Sequence, residues 1–206
     1  MRCIKMLVLA VVAALSSVVL AGAGTALAAG ALCSSQTNPC SSRWSVGTTF
    51  VFSLKSGTTA SFSETGGATL DTCSESTIKE KLTSNPGGSG PPTGENTEIN
   101  WAACIYPTNT LKLGKFDITN IAGGYNGTLF ADEEIKFTIK PSIFGDCEYS
   151  AGFGTPLGEL REGNPATFVA NAVLRRTNGC IAPQTAIWTG EYRQTSPNTT
   201  FAVSPS

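Results

Sequence analysis

Histidine is absent from the 206-residue sequence. Because histidine is the general base of Ser-His-Asp and Cys-His hydrolases, these two catalytic arrangements are excluded. Metal sites built on imidazole ligands are excluded for the same reason. We therefore predict no catalytic residue, no metal site and no cofactor, and expect a protein that is not an enzyme.

Charge of either sign is sparse, since only 14% of the residues are charged and the formal net charge is −1. The longest basic run is Arg175-Arg176, whereas nucleic acids and anionic membranes call for clustered Lys and Arg. We predict no nucleic-acid partner and, once the N-terminal segment is removed, no membrane partner. A component of the cell envelope or a carbohydrate remains as the candidate partner, and the oligomeric state is left open.

A single long apolar run is present, over residues 6–20. It follows the basic residues Arg2 and Lys5 and precedes an Ala-Leu-Ala cleavage site at 26–28, which is the three-part layout of a secretory signal peptide. A transmembrane anchor would need about 20 continuous apolar residues. We predict a signal peptide over 1–28, cleaved after Ala28, and secretion by the general secretory route.

The sequence lacks the C-x-x-C spacing of zinc sites. Six of its seven cysteines remain when Cys3 leaves with the signal peptide, and an even number in an exported chain indicates three disulfides. Cys33 follows Leu32 rather than a small residue next to the apolar core, so we expect no lipid anchor. Among the 15 possible connectivities we predict the sequential one: Cys33–Cys40, Cys73–Cys104 and Cys147–Cys180.

Alternation with period two is the clearest structural signal of the remaining chain. It places the bulky residues of four runs on one face each: Phe50, Phe52 and Leu54; Ile135, Phe137 and Ile139; Phe168, Ala170, Ala172 and Leu174; Trp188 and Tyr192. We predict about ten to twelve short strands and no helix beyond the signal helix. The fold class is all-β, an antiparallel β-sandwich of the immunoglobulin or jelly-roll type, with a closed β-barrel as the alternative.

The predicted organisation is a Cys/Ser-rich N-terminal segment over 29–44 and a single β-rich domain over 45–206. Within the domain, residues 83–95 have almost no apolar content and are predicted to form a flexible surface loop. Lys55-Ser56-Gly57 and Gly66-Gly67 are predicted to form hairpin turns.

Ser76-Thr77-Ile78-Lys79 fits the S-x-x-K motif of penicillin-recognising serine enzymes, and Lys55-Ser56-Gly57 resembles their K-T-G element. In those enzymes S-x-x-K begins a helix and the lysine element follows it. Here the order is reversed and Ile78 belongs to a strand-like run. We interpret the match as accidental.

Carboxylates are the remaining candidates for catalysis, and Asp132-Glu133-Glu134 is the densest acidic cluster. Paired carboxylates serve glycoside hydrolysis, and clustered oxygen ligands bind Ca²⁺. The alternative is an acidic turn whose side chains point to opposite sides, and the absence of repeated Asp-x-Asp spacing favours it.

Three tryptophans, Trp44, Trp101 and Trp188, could form a platform on which sugar rings stack. Strand-rich cores bury tryptophan routinely, and Trp188 lies in an alternating run, so core positions are favoured. Trp44, beside Arg43 in a Ser-rich stretch, is the tryptophan that we would test first.

The C-terminal segment carries a Cys…Pro…Trp-x-x-x-Tyr…Thr-x-Pro pattern. Its residues are Cys180, Pro183, Trp188, Tyr192, Thr195 and Pro197. Upstream, residues 72–77 contain Thr-Cys-x-x-Ser-Thr. The chain thereby resembles, over about 45–203, small exported proteins of actinobacteria without a known activity. The resemblance implies an exported β-domain with paired cysteines and transfers no catalytic residue.

We therefore predict a secreted, disulfide-stabilised β-domain that acts as a non-enzymatic binding or structural module of the cell envelope or the extracellular space. One alternative is a carboxylate-dependent hydrolase of extracellular polysaccharide that uses Glu134. Another is a small secreted inhibitor that presents the loop over 83–95.

Overall fold

A computed structural model describes residues 30–141 and 145–205, which form fourteen β-strands and no helix. The predicted signal peptide over 1–28 lies outside the described residues. The all-β class is confirmed. The strands are β1 (Ala31–Cys33), β2 (Thr49–Leu54), β3 (Ala60–Ser63), β4 (Thr69–Ser84), β5 (Thr93–Cys104), β6 (Thr108–Lys112), β7 (Lys115–Asn120), β8 (Gly127–Ala131), β9 (Ile135–Ile139), β10 (Cys147–Ala151), β11 (Pro156–Arg161), β12 (Thr167–Arg176), β13 (Thr185–Ser196) and β14 (Ala202–Ser204).

Eight strands form a closed antiparallel ring in the order β2-β4-β5-β7-β8-β11-β12-β13, and β13 pairs back to β2. The closing contacts match Tyr192 with Leu54 on one side of β2, and Phe52 with Ile78 on the other. A ring of eight strands has an interior just wide enough for side chains to fill. The structure is thus a β-barrel.

The sandwich expected from the sequence is not confirmed, and the barrel named as its alternative is what the structure shows. Both folds require the same alternation of buried and exposed residues along each strand. The difference lies in the pairing of β2 with both β4 and β13, which joins the two edges of the sheet.

The other four strands of the large sheet, β3, β6, β9 and β10, extend the barrel at one end, called here the extended end. Each lies in line with a strand of the ring. β2 and β3 both pair with β4 and β13, while β10 and β11 both pair with β12. The chain therefore runs as an up-and-down meander of eight positions, four of which are interrupted.

The breaks between strands that lie in line show that one of the predicted turns is wrong. Lys55-Ser56-Gly57 does not form a hairpin, because β2 and β3 continue in the same direction along β13. Gly66-Gly67 does lie in the hairpin between β3 and β4. The loop predicted over 83–95 is shorter and spans 85–92, because its two ends pair with each other from Leu82↔Gly94 to Ser84↔Thr93.

β6 lies beside β5 without a ladder of backbone hydrogen bonds between these two described strands. The Thr110 hydroxyl bridges them, donating to the carbonyl oxygen of Ile99 at 2.7 Å and accepting from Nε1 of Trp101 at 3.0 Å. A side chain therefore joins the barrel wall at this point, called here the seam.

Aromatic rings fill the barrel in a continuous column. Each ring contacts the next with centroids 5.0–6.5 Å apart, mostly edge to face, as aromatic pairs prefer. The ten rings are Trp44, Phe50, Phe201, Phe52, Phe168, Tyr192, Trp188, Trp101, Phe137 and Phe62. The column occupies the space in which a wider barrel would hold a ligand.

β1 and β14 pair with each other and cover the opposite end of the barrel, called here the capped end. Phe201 packs on Phe50 from this cap, and the side-chain amide of Asn120 donates to the carbonyl oxygen of Val203 at 2.6 Å. The cap therefore completes the core at the end that the extension does not reach.

Three disulfides join Cys33 to Cys40, Cys73 to Cys104 and Cys147 to Cys180, a sequential pairing. The first lies at the capped end and the other two at the extended end. Three disulfides suggest an oxidising environment. Within the described ranges, no helix is long and apolar enough to span a membrane.

Candidate functional site

The acidic cluster predicted from the sequence lies in the break between β8 and β9, and two of its carboxylates are ion-paired. Glu133 lies 2.5 Å from Nζ of Lys115, and Glu134 lies 3.6 Å from Nζ of Lys112. The hydrogen bond from Lys115 lowers the pKa of Glu133, whereas a glycosidase acid needs a raised pKa. The geometry gives the hydrolase and calcium hypotheses no support.

One group of three possible metal-ligating side chains lies within 4.8 Å among the described residues, namely Asp71, Cys73 and Cys104. The two sulfur atoms are bonded to each other, so neither is a thiolate ligand. Asp71 is buried and accepts hydrogen bonds from the backbone N–H of Tyr106 at 3.0 Å and from the Thr108 hydroxyl. The group is structural.

The three tryptophans do not form a platform. Trp101 and Trp188 are buried and contact each other inside the barrel, with ring centroids 5.6 Å apart. Trp44 lies at the capped end, where it packs edge to face on Phe50 at 5.3 Å.

Ser76 and Lys79 of the S-x-x-K match lie on opposite faces of β4. Ser76 points inward, where its hydroxyl donates to the carbonyl oxygen of Asn100 at 3.0 Å and accepts from Tyr192 at 3.2 Å. Lys79 points outward to Glu98 at 2.7 Å. Burial raises the pKa of Tyr192 to about 12, so this phenol is no base near neutral pH. The penicillin-enzyme match is accidental.

Glu80 is a buried carboxyl that the sequence analysis did not single out. It pairs in register with Phe50 and Asn96 and is 5% exposed. Burial raises the pKa of Glu80 to about 8. The alternation Ile78-Lys79-Glu80-Lys81-Leu82 was the signal that could have found it, because it places Glu80 on the inward face with Ile78 and Leu82.

A cavity of about 150 Å³ opens at the capped end, between the cap and the loop that joins β4 to β5. Among the described residues that line it, Arg43 has the only charged side chain, and the remaining lining includes Asn38, Pro39, Gly87, Gly88 and Ser204. The Arg43 guanidinium lies against Gly87, where an added Cβ would stand 2.2 Å from Cζ of Arg43. A side chain at position 87 would therefore have to displace the guanidinium and adopt a φ of +64°, which favours glycine.

The sequence pointed to this region through Trp44 but missed the cavity. Arg43 and the glycine-rich segment 87–90 were both visible in the sequence, but 44 residues separate Arg43 from Gly87 along the chain. Only the cap, which docks the N-terminal segment on the β4–β5 loop, brings them together.

The chain matches no known protein family, no curated protein and no solved structure in comparisons of sequence and fold.

Proposed function

We propose that the protein is an exported, non-enzymatic binding or structural module that acts in the cell envelope or the extracellular space. The observation that carries this proposal is the use of the barrel interior. Its volume is taken up by the aromatic column, and polar side chains such as Ser76, Asn96 and Gln194 bond to the protein's own backbone. Such an interior supports a rigid scaffold that binds its partners through its surface.

The inward polar groups illustrate this use. Asn96 donates to the carbonyl oxygen of Leu113 at 2.9 Å. Gln194 donates to the carbonyl oxygen of Pro197 at 2.6 Å and accepts from the backbone N–H of Ala166. Buried groups engaged in this way fix the fold, and none of them is free to act on a substrate.

Export is supported by the signal-like segment over 1–28 and by the three disulfides, which form in oxidising compartments. The likeness to small exported actinobacterial proteins belongs to this proposal as well. The inhibitor alternative loses support because the loop over 85–92 is shorter than predicted and packs against Arg43.

The proposal is tested by incubating the purified, oxidised protein with envelope preparations of the producing cell. We expect saturable retention on the envelope without release of reducing sugar. Sugar release that disappears in Glu134→Gln would establish the hydrolase instead. Absence of both retention and turnover would contradict an envelope-binding role.

A further inference from the structure

Arg43 differs from the lysines of the described chain in having no acidic partner. All seven lysines within the described ranges form ion pairs with carboxylates at 2.5–3.7 Å. Arg43 forms none there, and its side chain makes one long hydrogen bond, from Nη1 to the carbonyl oxygen of Pro86 at 3.5 Å. A guanidinium carries five N–H donors, so most of its donors remain for a ligand.

Two backbone N–H groups of the cavity lining, those of Gly87 and Gly88, are further donors. No hydrogen bond of the described residues uses the backbone N–H of Gly87 or Gly88, and both residues have positive φ, at +64° and +104°. Backbone N–H groups exposed in such turns form concavities that favour anions. Asn38 also lines the cavity, and no carboxylate lies among the described residues of the lining.

The walls of the cavity are held in place before any ligand arrives. Asn85 accepts from the backbone N–H of Leu32 at 2.9 Å and donates to the carbonyl oxygens of Leu32 at 2.9 Å and Trp44 at 3.0 Å. The disulfide between Cys33 and Cys40 closes the opposite wall. A preformed site loses little entropy on binding.

We propose that this cavity is a binding site for a small oxyanion, a carboxylate or phosphate group carried on a ring-sized molecule such as an acidic sugar. The guanidinium fork matches the two oxygens of such a group. A cavity of about 150 Å³ holds a six-membered ring. The assignment rests on the proposed binding function and names its ligand class.

Isothermal titration calorimetry of the purified protein with glucuronate, glucose 6-phosphate and glucose tests the site. We expect the two acids to bind and neutral glucose not to bind. Arg43→Gln should weaken acid binding by about tenfold or more, because it removes a charge-assisted hydrogen bond. Gly87→Ala should act in the same direction, because its methyl group displaces the guanidinium.

Arg193→Gln is the matched control, since it removes the same charge from an exposed position on β13. Near-ultraviolet circular dichroism checks that each variant is folded. A preference between glucuronate and glucose 6-phosphate shows whether the site favours a carboxylate or a phosphate. Binding of neither acid, equal binding of glucose, or unchanged acid binding by Arg43→Gln would each overturn the site. If Arg43→Gln is still retained on the envelope, the protein binds the envelope through another part of its surface. The proposed binding function would then hold, and the cavity would not be the site that carries it.

Discussion

Glu80 lies on the inward face of β4 with an apolar neighbour on either side, Ile78 and Leu82. No hydrogen bond or ion pair to its carboxyl group occurs among the described residues, although a buried carboxylate normally has a partner. Its neighbours in register, Phe50 and Asn96, bring no charge. The carboxyl group is therefore held in its neutral form around neutral pH.

This burial makes the stability of the fold depend on pH. Because the pKa of Glu80 is raised from 4.5 to about 8, the folded state binds a proton that the unfolded state releases. The stabilisation of the fold that comes from this bound proton is complete below about pH 4.5. It is lost as the pH rises through about 8. We expect Glu80→Gln to stabilise the protein at alkaline pH by up to a few kcal/mol, at about 1.4 kcal/mol per pKa unit.

The measurement is the free energy of unfolding in urea across this pH range. Glu75→Gln, which removes a carboxyl group from an exposed position of the same strand, is the matched control. A Glu80→Gln profile with the same alkaline slope as the parent protein would show that Glu80 is ionised in the fold.

Residue-level prediction from the sequence succeeded where a property is local. The inward rows that contain Phe168 and Ile135 follow from residue type and alternation. The roles of Asp71 and Arg43 could not be predicted, because they depend on groups that are distant in the chain. Asp71 bonds to Tyr106, and Arg43 lies against Gly87.

Among the elements, β5 and β6 are neighbours that no backbone ladder joins within the described part of the chain. Elsewhere backbone ladders join neighbouring strands, whereas here the Thr110 hydroxyl provides the link. The Thr110 hydroxyl also accepts the hydrogen bond that Nε1 of the buried Trp101 donates. The seam thus depends on one side chain for two hydrogen bonds.

Thr110→Val keeps the shape of the side chain and removes both bonds. We expect a loss of about 1–3 kcal/mol, because the Trp101 N–H and the Ile99 carbonyl would be left without partners. Thr97→Val, an exposed position of β5, should change stability by less than about 0.5 kcal/mol. Equal urea midpoints for both variants would mean that the seam is held by other contacts.

The strands themselves could be predicted from the sequence, but their connections could not. Lys55-Ser56-Gly57 has the composition of a hairpin and yet lies in a break between two strands that continue in line. A hairpin turn and a break between two strands that continue in line favour the same turn residues. Only the long partners β4 and β13, which run past the break, decide between them.

At the scale of the whole molecule, the three disulfides differ in the length of chain that each one closes. Two of them, Cys73–Cys104 and Cys147–Cys180, close chain separations of 31 and 33 residues at the extended end. The third closes a separation of 7 residues in the N-terminal segment. The entropy removed from the unfolded chain grows with loop length.

Replacing both Cys73 and Cys104 by alanine should therefore lower the free energy of unfolding by about 3–4 kcal/mol. The Cys33→Ala, Cys40→Ala double variant is the matched control, with an expected loss of about 2 kcal/mol for its shorter loop. Urea denaturation measures both. Thiol titration of the denatured, unreduced protein should show no free thiol beyond Cys3, and a larger number would contradict the three disulfides.

Closure of the barrel could not be predicted from the sequence. The alternation of Phe50 and Phe52 predicts a strand with one buried face, which sandwiches and barrels share. The choice depends on whether β2 pairs on both sides, with Ile78 of β4 and with Gln194 of β13. Such pairing between strands far apart in sequence leaves no local signal.

The aromatic column gives the molecule two optical reporters of its own. Trp101 and Trp188 have ring centroids 5.6 Å apart at an interplanar angle of 77°, so their transition dipoles couple and produce an exciton signal in circular dichroism from the extended end. The emission of the three tryptophans overlaps, so the contribution of Trp44 at the capped end, taken as the difference between the parent protein and Trp44→Phe, reports the seating of β1 and β14. Heating the unlabelled protein while following both signals therefore reveals which end of the barrel opens first.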